Sequence, residues 1–262
     1  MTADARGYAT RVAQTTVLYV VWVAATYLLE GLPRTLLRPQ AHALRAAYTI
    51  TANLIVGTLG SMFVLHRLVG SRSITAPSAG FGSRRRSVIG IALGLSLGAA
   101  VHVAQAPSSV GVVVLLNLFA QVLPVSVAEV LVCWSLVGVA AGSTRAGRAT
   151  RAVIVAVIAS VAFGLYHIAH SPPFNALGMI GLLIVVGLAT STFFIVVRDV
   201  YGTIVFHNFF ALFGVRRALE ASGRMADFET IDMPLLITAL TSLALLRAAH
   251  TASVRSRPTP VS

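Results

Sequence analysis

Six ionisable side chains stand inside long apolar runs of this 262-residue chain: His66, His102, Glu129, His167, His170 and His207. A charged group at the centre of a bilayer costs at least ~2.5–3.5 kcal/mol, and such groups usually face a bundle interior or a functional cavity. Glu129, His167 and His207 each occupy a separate apolar run in the same half of the chain. A carboxylate beside two imidazoles suits two chemistries. Together they would bind a divalent metal such as zinc with one coordination position open, or the carboxylate would take a proton from water while the imidazoles polarise a carbonyl. The same carboxylate does not readily serve as both metal ligand and free base. His66 beside Arg67, and His102 near the end of its run, read as interfacial histidines. His170 follows His167 by one helical turn and precedes Ser171, Pro172 and Pro173. It reads as a helix-end histidine, with an accessory role at the site as the alternative.

The elements that must position these groups are hydrophobic helices. With 56% hydrophobic and 11% charged residues, the chain is too apolar for an ordinary soluble fold. Its runs match the roughly 20 residues that a hydrocarbon core about 30 Å thick demands. They lack the alternation of membrane strands. The reading is an all-α polytopic transmembrane helical bundle of eight or nine spans in a single membrane domain, residues 1–262. The spans are placed at about 12–29, 46–66, 87–106, 109–123, 125–142, 151–169, 176–197, 199–215 and 233–249. The first follows Arg6 and Arg11 and, being long and followed by further spans, reads as a retained helix rather than a cleaved signal.

Two boundaries rest on specific residues. One helix across 109–142 would be about 50 Å long, so a break is expected at Pro124. Arg198 and Asp199 mark a turn in the next long run. Residues 70–87, rich in Gly, Ser, Arg and Pro, read as a mobile polar and basic loop, and 251–262 as a disordered tail.

All 20 basic residues are arginines, and the net charge is +12. They fall between the apolar runs, with Arg84, Arg85 and Arg86 clustered before Val88. Anionic lipid headgroups, not nucleic acid, are the expected partner, chiefly as topology signals. With a break at Pro124 the arginines divide almost evenly between the two sides, so they do not orient the chain. The single cysteine, Cys133, forms no internal disulfide.

Helix rise gives a check on convergence. In an antiparallel hairpin of 125–142 and 151–169, Glu129 and His167 lie about 20 Å and 24 Å from the shared turn. His207, counted from Asp199, lies only about 12 Å in. Tilt, or an earlier turn around Ala189 to Thr192, would reconcile them.

The segment Phe163-Gly164-Leu165-Tyr166-His167 resembles the FxxxH motif of the CAAX-protease and bacteriocin-processing family of intramembrane endopeptidases. Gly202 to Phe213, with His207, is similar to the family's last histidine-bearing helix. Glu129 to Ser135 lies where the first motif, EExxxR, is expected. The motif-bearing core covers about residues 109–249. In this register Val130 stands at the second glutamate, Trp134 at the arginine and Ser135 at the following small residue; the other register would place Ala128 and Cys133 at the glutamate and arginine. The final HxxxN motif has Ala211 in place of asparagine, with Asn208 as an imperfect substitute.

The resemblance implies an intramembrane endopeptidase acting on a membrane-associated peptide or protein, in the plasma membrane of a bacterium. Glu129 would activate water, and His167 and His207 would stabilise the oxyanion or ligate a metal. Asn208, His170 and Trp134 would be accessory. Two other classes stand beside it: a non-catalytic membrane scaffold of the same fold, and a haem or metal protein with His167 and His207 as axial ligands. No repeat of broken helices points to a transporter.

Overall fold

The structure, a computed structural model, describes residues 3–105, 110–144 and 146–255. It is all-helical, with no strand among the described residues. Eight long helices account for it: α1 (Ala3–Thr26, continuing as a π-helical turn, Tyr27–Gly31), α2 (His42–Gly70), α3 (Arg84–Ala104), α4 (Val112–Gly142), α5 (Arg148–Ala169), α6 (Leu177–Val197), α7 (Val200–Ala221) and α8 (Met233–Arg255). The first six are long and apolar enough to cross a membrane. Helix α7 carries Arg216, Arg217 and Glu220 in its last turns, and the apolar part of α8 is confined to Met233–Ala248. Large apolar side chains such as Leu28, Phe63, Val103, Leu177 and Val196 are exposed on the outside. This is the surface expected where the solvent is lipid.

The expected break at Pro124 does not occur. Helix α4 runs unbroken through it for 31 residues, with 94% of its most apolar window buried. A proline removes one backbone donor, yet such helices persist in membranes where surrounding elements cover the disturbed turn. At about 47 Å this helix exceeds the hydrocarbon thickness. It does so as the central post of the bundle.

Losing that break reverses every later connection. One end of the bundle holds the start of α1, the 71–83 connection, the α4–α5 and α6–α7 turns and the end of α8. It is tied by Ser87 to Asp199 (2.6 Å), Val200 to the Gly80 carbonyl (2.9 Å) and His250 to the Gly82 carbonyl (3.1 Å). The other end is tied by Ser171 to Glu30 and by Asn117 to the Phe228 and Thr230 carbonyls. Twelve of the eighteen arginines among the described residues lie at the first end. The even division expected from the sequence is therefore replaced by a two-to-one bias.

Two loop expectations change as well. The 71–83 connection is packed rather than mobile: Ile74, Ala76, Ala79 and Phe81 are buried in the main core with Trp134 and Val200. Burial of these four apolar side chains, scattered among the polar ones, holds it down. Helix α8 continues to Arg255, so the start of the expected disordered tail is helical; residues 256–262 lie outside the described residues.

The closest packing is between α3 and α7, along Gly90, Gly94 and Gly98, one residue per turn on a single face. A Cβ at Gly94 would stand 2.5 Å from the Gly202 carbonyl oxygen. Only glycine permits this approach, the small-residue seam by which helices associate in lipid. That seam fixes the position of α7, the helix that carries His207.

Candidate active site

Glu129 lies on α4 immediately before a π-helical stretch, Val130–Gly138. Such wider turns are frequent at functional sites. The carboxylate is 2% exposed and faces two imidazoles from two other helices. His207 Nε2 on α7 lies 3.0 Å from Glu129 Oε2, and His167 Nε2, in the last turn of α5, lies 3.8 Å from Oε1. All three sequence candidates therefore converge.

The depth mismatch of His207 resolves without moving the turn along the sequence. Arg198, in the left-handed conformation, ends α6, and the Asp199 side chain caps α7 by accepting from the Gly202 N–H at 2.8 Å. Ser160 of α5 and Ser191 of α6 are level, their hydroxyls 2.9 Å apart. Ser160 is twelve residues from Arg148, and Ser191 seven from Arg198. The α6–α7 turn is thus sunk about 8 Å below the α4–α5 turn. Asp199 and Val200 are fully buried there, beneath the 71–83 connection.

Each histidine is oriented by its other nitrogen. His167 Nδ1 is 2.8 Å from the Phe163 carbonyl one turn back, so it must carry a proton, and Nε2 faces Glu129. His207 Nδ1 is 3.0 Å from the Thr190 hydroxyl. That hydroxyl already donates to the Val186 carbonyl at 3.1 Å, so it accepts from His207. A single proton then lies between His207 Nε2 and Glu129 Oε2. In such an arrangement a carboxylate can hand a proton to an imidazole with almost no motion.

The walls are aromatic. The Phe163 ring meets His167 and His207 edge-on, at 4.7 and 4.9 Å between centroids. Trp134 lies 5.3 Å from His207 and donates from its indole nitrogen to Ser191 Oγ at 2.7 Å. Trp134 thus lines the site and brings no positive charge to it. Val130 and Ala128 are fully buried, and a Cβ on Gly57 of α2 would stand 2.5 Å from the Ala128 Cβ. Position 128 therefore faces α2, and only the register that uses Glu129 reaches the histidines.

Asn208 is buried, its Oδ1 is without a hydrogen-bond partner, and it enters none of the contacts that join Glu129 to the histidines. Ala211 packs in a separate apolar cluster with Leu118 and Val122. His66 is exposed on α2, and His102 packs on Phe209 and Phe213. Neither joins the site.

Sequence reasoning passed over one participant. Glu30, on the π-helical turn of α1, is fully buried. It accepts from the Ser171 hydroxyl (2.6 Å) and backbone N–H (2.8 Å) and pairs with His170 Nδ1 at 3.3 Å. The His170 ring stacks on that of His167, 4.9 Å between centroids and 21° apart. His170 is therefore part of the site and not an interfacial residue. The missed signal was an acid at the very end of an apolar run, where a loop charge is the ordinary explanation.

Two cofactor expectations can be tested against these contacts. The outer nitrogens of both imidazoles are satisfied as those of metal-bound histidines are. Yet Glu129 and His207 touch directly, and among the described residues no group of three or more His, Cys, Asp or Glu side chains is arranged to hold a metal ion. For haem the fit fails: Glu129, Phe163 and Trp134 fill the space that a macrocycle between His167 and His207 would need.

The chain matches no protein-family model, no curated protein and no solved structure.

Proposed function

We propose that this protein is an intramembrane endopeptidase of the CAAX-protease-like kind, hydrolysing a peptide bond in a membrane-associated peptide or protein. The observation that carries the reading is the convergence of Glu129, His167 and His207 from three helices onto one buried point. Glu129 takes a proton from water. The water oxygen attacks the scissile carbonyl, and His167, whose Nε2 faces the same point, and His207 stabilise the developing oxyanion once protonated. The motif resemblance at Phe163 to His167 and around His207 supports the same roles.

The bundle is read as eight crossings, including α7 and α8, in the plasma membrane of a bacterium. The arginine-rich end, with the starts of α1 and α3, is assigned to the cytoplasmic side by the positive-inside rule. Anionic headgroups are its partners there, and nucleic acid is not.

A non-catalytic scaffold is the second reading, favoured by one observation: Glu129 and His207 are closed on each other in a fully packed site. Mapping of new peptide termini in membranes from cells expressing the wild type or Glu129→Gln separates the two. The protease reading requires termini that appear with the wild type and vanish with the variant. Identical maps at equal expression would leave the scaffold.

A further inference from the structure

The site has one ionisable pair that the proposed reaction has not yet used. Glu30 and His170 are buried together, and ionisable groups buried in a membrane are costly and commonly mark functional sites. Glu30 is held by three donors, two of them from Ser171, so its position is fixed. It orients His170 through Nδ1. The opposite nitrogen, His170 Nε2, is buried and has no hydrogen-bond partner in the protein. A histidine gripped by a carboxylate at Nδ1, with Nε2 free, is arranged to deliver or receive a proton at Nε2.

Its place relative to the other imidazole fixes the direction. His167 keeps its Nδ1 proton on the Phe163 carbonyl and turns Nε2 towards Glu129. Two stacked imidazoles 4.9 Å apart do not both carry charge at low cost, and of the two it is His170 whose Nδ1 is gripped by a carboxylate while its Nε2 is left without a partner. Amide hydrolysis needs such a donor. The water proton goes to Glu129 and the water oxygen bonds to the carbonyl carbon. When the C–N bond breaks, its electron pair stays on nitrogen, which must gain a proton to leave as an amine. Glu129 meets the Nε2 edge of His167, and His170 lies against the face of the same ring.

We infer that His170 is the general acid that protonates the leaving amine, with Glu30 as its positioning residue. This rests on the protease reading above. The products are a carboxylic acid and an amine; the proton gained by Glu129 replaces the one lost by His170, so the cycle closes without a further reactant. A cleft of about 390 Å³ bordered by Arg34, Arg38, Ser171 and Pro172 lies just outside the pair.

The experiment compares one peptide, the sequence that terminus mapping identifies, made as the amide and as the matching ester, whose leaving group departs with far less need of a proton. Wild-type protein, Glu129→Gln, His170→Asn and Glu30→Gln are purified and reconstituted, with folding checked by monodispersity and thermal unfolding. His170→Asn should cut amide turnover about 10²–10⁴-fold and ester turnover less than about tenfold. Glu30→Gln, which leaves the imidazole in place, should show the same selectivity to a smaller extent, in kcat and not in KM. Equal losses on amide and ester in both variants would overturn the general-acid role while leaving Glu129 as the base. Full activity in Glu129→Gln on both substrates would overturn the underlying reading instead. If His170→Asn does not fold, the selectivity of Glu30→Gln alone decides.

Discussion

The two buried carboxylate–imidazole pairs are built differently. Glu129 and His207 meet at mid-bundle on helices distant in sequence, at 3.0 Å, with one proton between them and aromatic rings around them. Glu30 and His170 meet near one end of the bundle at 3.3 Å, and Glu30 is anchored chiefly by Ser171. The inner carboxylate depends on its histidine for satisfaction. The outer one would remain hydrogen-bonded without its histidine. A single buried ion pair is a liability once one partner is removed, whereas a carboxylate with several donors is not. The inner pair is therefore expected to be sensitive in stability and the outer pair sensitive mainly in turnover.

Five substitutions probe that contrast, and each is read by reversible unfolding in mixed micelles. His207→Ala should cost the most, about 3–5 kcal/mol, because it strands the Glu129 carboxylate. His170→Ala at the outer pair should cost clearly less, and equal costs would erase the distinction. Ser171→Ala removes one charge-assisted bond to Glu30, and about 1.5–3 kcal/mol is expected. Gly94→Leu should cost about 1–3 kcal/mol by wedging α3 away from α7. It should also disturb turnover through His207 while leaving the outer pair unaffected. Trp134→Phe keeps a ring against His207 but loses the bond to Ser191, so about 0.5–1.5 kcal/mol is the expected loss.

The contrast also shows how far a sequence can be read. Glu129, His167 and His207 are legible because each interrupts an apolar run, and helix rise alone puts Glu129 and His167 at a similar depth while leaving His207 too shallow. Glu30 is not, since an acid at the end of such a run looks like a loop charge; only the fold of α1 against the α5–α6 connection makes it part of the site. Pro124 misled in the opposite direction. Proline is a sound stop signal where water can take the freed carbonyl, but around Pro124 α4 is enclosed by other helices. That single misplaced break altered the parity of every later connection and hid the arginine bias. The sunken α6–α7 turn was equally hidden, because its depth is set by the 71–83 connection above it, a tertiary contact with no local sequence signature.

The central claim is that Glu129 activates water for attack on a peptide bond. Its most direct test is cleavage by the purified, reconstituted protein in water enriched with oxygen-18, with Glu129→Gln alongside. The wild type should place one heavy oxygen in the newly formed carboxyl group, and the variant should form product at least about 10²-fold more slowly while unfolding at a similar temperature. Product formation by Glu129→Gln at the wild-type rate would contradict the claim.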